Sequence, residues 1–185
     1  MRKITLLILS LFFLTSVCSQ TTPTVEKDTL MESLVTKYRQ VFWDNIPMQK
    51  SWTNDYEDLF TDKEQITLDS LINLFENKTT IEIAIVTIDT IKTSEEKFDS
   101  LSLHIAQQWY LGKKDKHNGI LIAISRGYRK MRIQNGNGIE LIITDNETKK
   151  IIDKYFIPYY KKEEYFNGTL KGLKELMNLL ETKIK

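Results

Sequence analysis

Two short runs, Ile81–Ile88 (IEIAIVTI) and Ile120–Ile124 (ILIAI), are nearly all apolar and mostly β-branched. A strand points successive side chains to opposite faces, so a run that is apolar at both parities is buried on both faces. Each face of such a sheet needs a cover, and the stretches between the runs supply it. Thr61/Glu64, Thr93/Glu96 and Thr144/Glu147 each spell Thr-x-x-Glu, the capping box in which hydroxyl and carboxylate satisfy free amides at a helix start. Behind the first box, Leu68, Leu71, Ile72 and Phe75 fall on one stripe; behind the second, Phe98, Leu101, Ile105 and Trp109 do. Behind the third, Ile151, Ile152 and Tyr155 make a narrower stripe, with Pro158 expected to stop the helix.

A further helix is expected from about 163 to 183. Phe166, Leu170, Leu173, Met177, Leu180 and Ile184 step by alternate fours and threes. That stripe suits a coiled-coil seam or the cover of the chain's own sheet, and the second is favoured. Near the other end, Leu30, Leu34, Tyr38 and Val41–Phe42 predict a helix over 29–42, ended by Asn45–Pro47. Met131–Asn135 alternates apolar and polar, and only Ser125–Lys130 with Gly127 precedes it, so it forms a hairpin with the strand before. The order helix, strand, helix, strand, strand, helix, helix gives an α/β fold, a small mixed sheet with helices packed on both faces.

The first residues stand apart. Arg2 and Lys3 precede the apolar run 4–14, and Thr15, Ser16 and Ser19 follow it, the three regions of a secretory signal peptide. A membrane span needs about 20 apolar residues, and the polar run 19–24 arrives too early. Two fates compete at Cys18. A lipobox would anchor it by a lipid, but Val17 and Thr15 fit that pattern poorly, so cleavage after Ser19 is favoured. Three segments follow: signal peptide 1–19, linker and N-terminal helix 20–50 (the linker over 20–28), and an α/β domain 51–185. The chain of 185 residues carries 26 Lys+Arg against 25 Asp+Glu, a net charge of +1. Removing the leader turns this to −1 and removes the single cysteine. Disulfide scaffolds and polybasic nucleic-acid binders are thereby excluded. A periplasmic or extracellular protein is expected, and a chain of this size buries roughly 70% of its unfolded surface without metal or disulfide staples.

Chemistry-bearing motifs are few. No Gly-x-Ser-x-Gly, His-Glu-x-x-His or phosphate-loop pattern occurs, and 135–138 (NGNG) lacks the third glycine of a dinucleotide fingerprint. His104 lies inside a helix and reads as a surface or edge residue, whereas His117 lies in a loop. Three polar loops remain: Asn54-Asp55, the stretch 112–119 (GKKDKHNG), and 135–140 followed by Asp145. Carboxylate and amide oxygens from separate loops suit a hard cation such as Ca²⁺ or Mg²⁺. Equally, Asn118-Gly119 and Asn137-Gly138 are turn dipeptides. Lys113, Lys114 and Lys116 read as a solvated charge run or an attractor of anions.

In order along the chain, these pieces resemble the TPM domain family, named for a thylakoid-lumen protein, a photosystem repair protein and a modulator of acetylcholine receptors. The resemblance runs from Trp52 to about Glu181. It rests on 54–56 (NDY), 83–87 (IAIVT), Trp109 with 112–114 (GKK), 118–122 (NGILI), 129–133 (RKMRI), 136–140 (GNGIE), Asp145, 157–160 (IPYY), Tyr165 with 167–168 (NG), and Gly172. It implies an extracytoplasmic α/β domain whose relatives are described variously as acid phosphatases, metal binders, or assembly and repair accessories. It places candidate metal ligands at Asp55, Asp115, Asn118 and Asp145, while His117 stands where the family commonly has Asp. Leu141 likewise replaces a frequent Gly, and no apolar segment closes the chain to serve as the tether many relatives carry. Two functions follow as expectations. One is a non-enzymatic exported accessory or binding module that holds a protein partner of the cell envelope, with a divalent cation on the loop face. The alternative is a weak metal-assisted phosphatase acting on phosphomonoesters, with Asp55, Asp115 and Asp145 on the ion and Arg129 or a loop lysine on the phosphate.

Overall fold

The computed structural model describes residues 23–185, with side chains from Lys27 onward; the expected signal peptide and Cys18 lie outside the described residues. The chain divides into a unit ending at Leu34 and a unit of Val35–Lys185. Helix α1 (Pro23–Asp44) begins earlier than expected, at a proline whose fixed φ and missing N–H suit a first helical position, so the linker is shorter than 20–28. Within the second unit, Phe42 is the buried residue of the expected α1 stripe, and Tyr38 and Val41 are exposed.

The sheet has four strands in the order β1 (Thr53–Asp55), β2 (Glu82–Thr87), β3 (Gly119–Ser125), β4 (Lys130–Asn135). The first three run parallel and β4 returns antiparallel as the expected hairpin. Register sets the two faces. Ile83 and Ile85 stand beside Ile120 and Ile122, and this row packs with Leu68, Ile72, Phe156, Leu173 and Leu180 from one helical layer. Ala84 and Val86 stand beside Leu121 and Ala123, and this row packs with Phe98, Leu101, Ile105 and Phe42 from the other. Burying a large aliphatic side chain contributes about 1.5–3 kcal/mol, so these two rows dominate the core.

The helices α2 (Asp62–Thr79), α3 (Phe98–Gln108), α4 (Asn137–Glu140), α5 (Asp145–Ile151), α6 (Ile157–Tyr160) and α7 (Tyr165–Lys183) complete the unit. The capping boxes of Thr61/Glu64 and Thr144/Glu147 both form. The box expected at Thr93/Glu96 does not: α3 starts at Phe98, and Ser94–Lys97 make a turn closed by Lys97 N–H donating to Ser94 O. Asn137-Gly138, expected as a turn, instead opens α4 behind Gly136. Pro158 does not stop its helix either. A π-helical turn, Ile152–Phe156, joins α5 to α6. Widening the turn accommodates a ring that would clash with the preceding carbonyls and cannot donate. The stripe on α7 covers the chain's own sheet, with Leu173, Met177 and Leu180 buried and Ile184 exposed.

Candidate functional site

The parallel strands have two ends, and the candidate residues divide between them. Asp55, Thr87 and Ser125 close β1, β2 and β3 at their carboxyl ends, while Glu82, Gly119 and the preceding Asn118 mark the amino ends. At about 3.3 Å per residue, the length of β3 puts the two ends about 20 Å apart.

At the carboxyl ends, both oxygens of Asp55 are engaged. Thr87 Oγ1 donates to Oδ1 at 2.6 Å and Phe60 N–H donates to Oδ2 at 2.8 Å. Glu57 reaches across to the β3–β4 turn, where its carboxylate accepts from Arg126 N–H at 2.8 Å and Gly127 N–H at 3.4 Å. Burial pushes the Glu57 carboxyl up from its ordinary range, and those two amides pull it back in part.

The loop before β3 is laced at the amino ends. Gly112, at φ 95°, donates its N–H to Glu82 Oε2 at 2.7 Å, in a left-handed conformation that a Cβ would strain. Lys113 Nζ lies 2.7 Å from Glu82 and 2.9 Å from Glu76, and these hydrogen bonds, Glu82 first, hold its ammonium well above the ordinary lysine range. Asn118 is buried: its Oδ1 accepts from Lys113 N–H at 2.9 Å, and its Nδ2 donates to Thr80 O at 2.8 Å. Lys116 Nζ donates to Thr80 Oγ1 at 2.9 Å. Two of the three lysines read as a free charge run are thus tied down, and Lys114 is exposed. Asp115 is exposed at the tip of this turn. His117, at φ 47°, lines a cavity of about 220 Å³ with Tyr110, Leu111 and Asn135. Asp145 is exposed at the start of α5, which Asn135 Nδ2 ties to the same end by donating to Thr148 Oγ1 at 3.0 Å.

The four expected cation ligands are therefore not brought together. Asp55 sits at the far end of the strands from Asn118 and Asp115, and Asn118 Oδ1 is already an acceptor within its own loop. A hard cation needs six or more oxygens, and no group of three or more His, Cys, Asp or Glu among the described residues could hold one. These residues do not fit a single metal centre. His104 is half-buried, stacked on Trp43 with ring centres 4.4 Å apart, and its Nε2 lies 3.0 Å from Trp43 O.

Arg129 belongs to a different group. A cavity of about 280 Å³ opens beyond the carboxyl end of β3, between the β3–β4 turn and the α6–α7 junction. Ser125, Arg129 and Lys130 line it from the strand side; Tyr160, Lys161, Glu163 and Tyr165 line it from the helical side. Ser125 is 1% exposed, and its Oγ is buried with no hydrogen-bond partner. Tyr160 and Tyr165 rings lie 5.0 Å apart; Tyr160 Oη is held by Thr169 Oγ1 at 2.7 Å, and burial pushes that phenol well above its ordinary range. The Tyr165 phenol is also raised, first by burial and then by the charge of Glu163. Ligands of open α/β sheets sit outside the carboxyl ends of the strands, and Arg129 is the one sequence-derived candidate that lines this cavity. The sequence marks Tyr160 and Tyr165 only as residues of the family pattern, and it does not mark Ser125, Lys161 or Glu163. The usable signal was positional: Ser125 closes a fully apolar run just before a turn.

The family model of the TPM domain matches residues 53–179. Three solved structures share the fold. The N-terminal domain of a Porphyromonas protein (P. gingivalis) has a TM-score of 0.64 at 22% identity, covering 71% of this chain and 82% of its own. A protein from the psychrophilic bacterium Bizionia argentinensis has a TM-score of 0.60 at 19% identity, covering 69% and 86%. The N-terminal domain of a Corynebacterium glutamicum protein has a TM-score of 0.53 at 13% identity, covering 72% and 82%. No curated protein matches by sequence.

Proposed function

The chain belongs to the TPM domain family, and from that premise we propose that it is an exported, non-enzymatic accessory module that binds a partner of the cell envelope through the cavity at the carboxyl ends of its strands. One observation carries this reading. The cavity is lined by Arg129 and Lys161, neither of which makes an ion pair among the described residues, beside the rings of Tyr160 and Tyr165, and the Oγ of its one serine, Ser125, is buried with no hydrogen-bond partner. A serine nucleophile needs a base within hydrogen-bond reach. Neither histidine supplies one, since His104 is engaged with Trp43 and His117 precedes β3 at the opposite end of the sheet. Uncommitted cations and tyrosine rings around a cavity whose lining offers no activated nucleophile suit the holding of a ligand rather than an attack on it.

The phosphatase alternative needs Asp55, Asp115 and Asp145 on one ion. The engaged oxygens of Asp55 and its separation from Asp115 speak against that grouping. Export rests on the leader over 1–19, and the intact mass of the mature protein distinguishes a start at Gln20 from a lipidated Cys18. Purified protein is expected to hydrolyse p-nitrophenyl phosphate no faster than buffer, with or without Ca²⁺, Mg²⁺ or Mn²⁺. A rate well above buffer that Asp115→Ala removes would overturn the accessory reading. A specific rise in melting temperature with a divalent ion would revive a cation site, because selective binding must stabilise the folded state.

A further inference from the structure

The sheet has two edges, and they are finished differently. β1 is three residues long, and its Thr53 N–H is capped by Asp69 Oδ1 at 2.7 Å. β4 forms the other edge, with six residues, no proline and an unbroken register. We infer that the outer edge of β4 docks an extended segment of a partner polypeptide, which joins the sheet as a further strand. The inference goes beyond the cavity reading above and does not depend on it.

The hydrogen-bond pattern carries the argument. Gly136 N–H donates to Gly119 O at 2.8 Å. Bonded positions alternate in an antiparallel pair, so the register turns the backbone groups of Gln134, Arg132 and Lys130 toward β3 as well. Met131, Ile133 and Asn135 therefore turn their N–H and C=O groups away from it. Among the described residues, no further backbone group pairs with these. The side-chain hydrogen bonds of β4 run elsewhere: Lys130 to Glu95 O, Gln134 to Ser102 Oγ and Asp99 O on α3, Asn135 to Thr148 Oγ1 on α5. A row of alternating donors and acceptors is matched by the backbone of an extended chain. At about 3.3 Å per residue, the row accommodates about five residues of added strand.

Side chains shape the preference. Met131 and Ile133 lie on the face of Ile124 and Ile122, Ile133 buried in the core and Met131 half-buried against it. Apolar residues at alternate positions of an added strand extend that row. On the opposite face Arg132 is exposed and makes no ion pair among the described residues. Lys130 Nζ is drawn to the Glu95 carboxylate at 3.9 Å, and Asp99 stands exposed on α3. Charge on this face is mixed, so the backbone carries the docking and Arg132 tunes it. A second copy pairing through its own β4 would set Lys130 and Arg132 of both chains on one face of one seam, and like charges oppose such pairing. A foreign strand meets no such barrier.

The test uses the purified chain and a blocked hexapeptide of alternating valine and threonine, followed by amide shifts and hydrogen exchange. In the free chain, the amides of Met131 and Ile133 are expected to exchange faster than those of Arg132 and Gln134, which are bonded to β3. The peptide should slow Met131 and Ile133. Two N-methylated versions, one for each parity of residue, should differ at least about tenfold in affinity, because a strand turns only one set of amides toward each neighbour. The version that fails reads the direction of the added strand. Glutamate in place of the threonines should bind a few-fold tighter than lysine there. Arg132→Glu should reverse that order with the melting temperature unchanged, since the side chain is exposed and unpaired. Protection of Met131 and Ile133 already present in the free chain, equal binding of both methylated peptides, or no binding of any peptide overturns the inference. Protection that grows with protein concentration alone assigns the edge to a second copy and overturns the partner strand. Hydrolysis of a phosphomonoester would instead overturn the accessory reading, so the two failures are separable.

Discussion

Thr87 Oγ1 donates a 2.6 Å hydrogen bond to Asp55 Oδ1 across the β1–β2 pair, and the same hydroxyl accepts from Glu57 N–H at 2.8 Å. With Phe60 N–H on the other carboxylate oxygen, Asp55 clips the chain where it leaves the sheet for α2. Hydrogen bonds to a charged group contribute about 1.5–3 kcal/mol each and are not additive. Asp55→Ala is therefore expected to lower unfolding free energy by about 3 kcal/mol in urea titrations, with no change in the response to divalent ions. Unchanged stability, coupled to loss of an ion-dependent shift in melting temperature, would make Asp55 a ligand and not a clip.

Asn118 gives a second discriminating substitution. Its amide nitrogen faces Thr80 O at 2.8 Å, so Asn118→Asp places an oxygen against a carbonyl in a buried site. Loss of the donor and repulsion between acceptors should cost about 2–3 kcal/mol. If Asn118 instead binds a cation, the added carboxylate would tighten binding and raise the melting temperature in millimolar Ca²⁺. Denaturation with and without the ion separates the two.

These two residues also show how far the sequence could be read. The strands β2 and β3 are legible because Ile83–Val86 and Ile120–Ile124 are apolar at every position, and alternation assigns each side chain to a face. Strand β1 was not, because Thr53–Asp55 is short and polar, and its pairing with Ile85–Thr87 is long-range. Thr93/Glu96 has the spelling of a capping box without the helix. The Glu96 carboxyl is instead lowered by its own backbone amide and by Ser94, inside a turn. Candidate ligands taken from loops carried no information about which end of the strands each loop occupies. Asp55 and Asn118 look alike in one dimension and fall at opposite ends in three.

Gly172 faces the ring of Phe156, close enough that a Cβ would overlap it. Phe156 is fully buried at the end of the π-helical turn, so neither partner has room to move. Overpacking of this kind costs about 1–3 kcal/mol. Gly172→Ala should lose that much, although alanine is the better helix former by about 1 kcal/mol. Adding Phe156→Leu should return part of the loss, giving a non-additive double-mutant cycle. Additive losses would mean that the ring is not what excludes the methyl group.

Glu147 ties the α5 cap to the end of α7. Its carboxylate lies 2.7 Å from Lys183 Nζ and accepts from Thr144 N–H at 2.9 Å. The Lys183 hydrogen bond, then the backbone and side chain of Thr144, lower its pKa from 4.5 to about 2. Because the folded value lies below the unfolded one, the contribution is fully present above about 4.5, falls as the pH drops, and is gone below about 2. Glutamine keeps an acceptor for the cap but loses the charge. Glu147→Gln should therefore melt below the parent near neutral pH. The gap should narrow steadily below about 4.5 and shrink in high salt, since both partners are partly exposed. Melting curves of both proteins across that range, in low and high salt, provide the check, and a gap independent of pH would show that Glu147 acts through the cap alone.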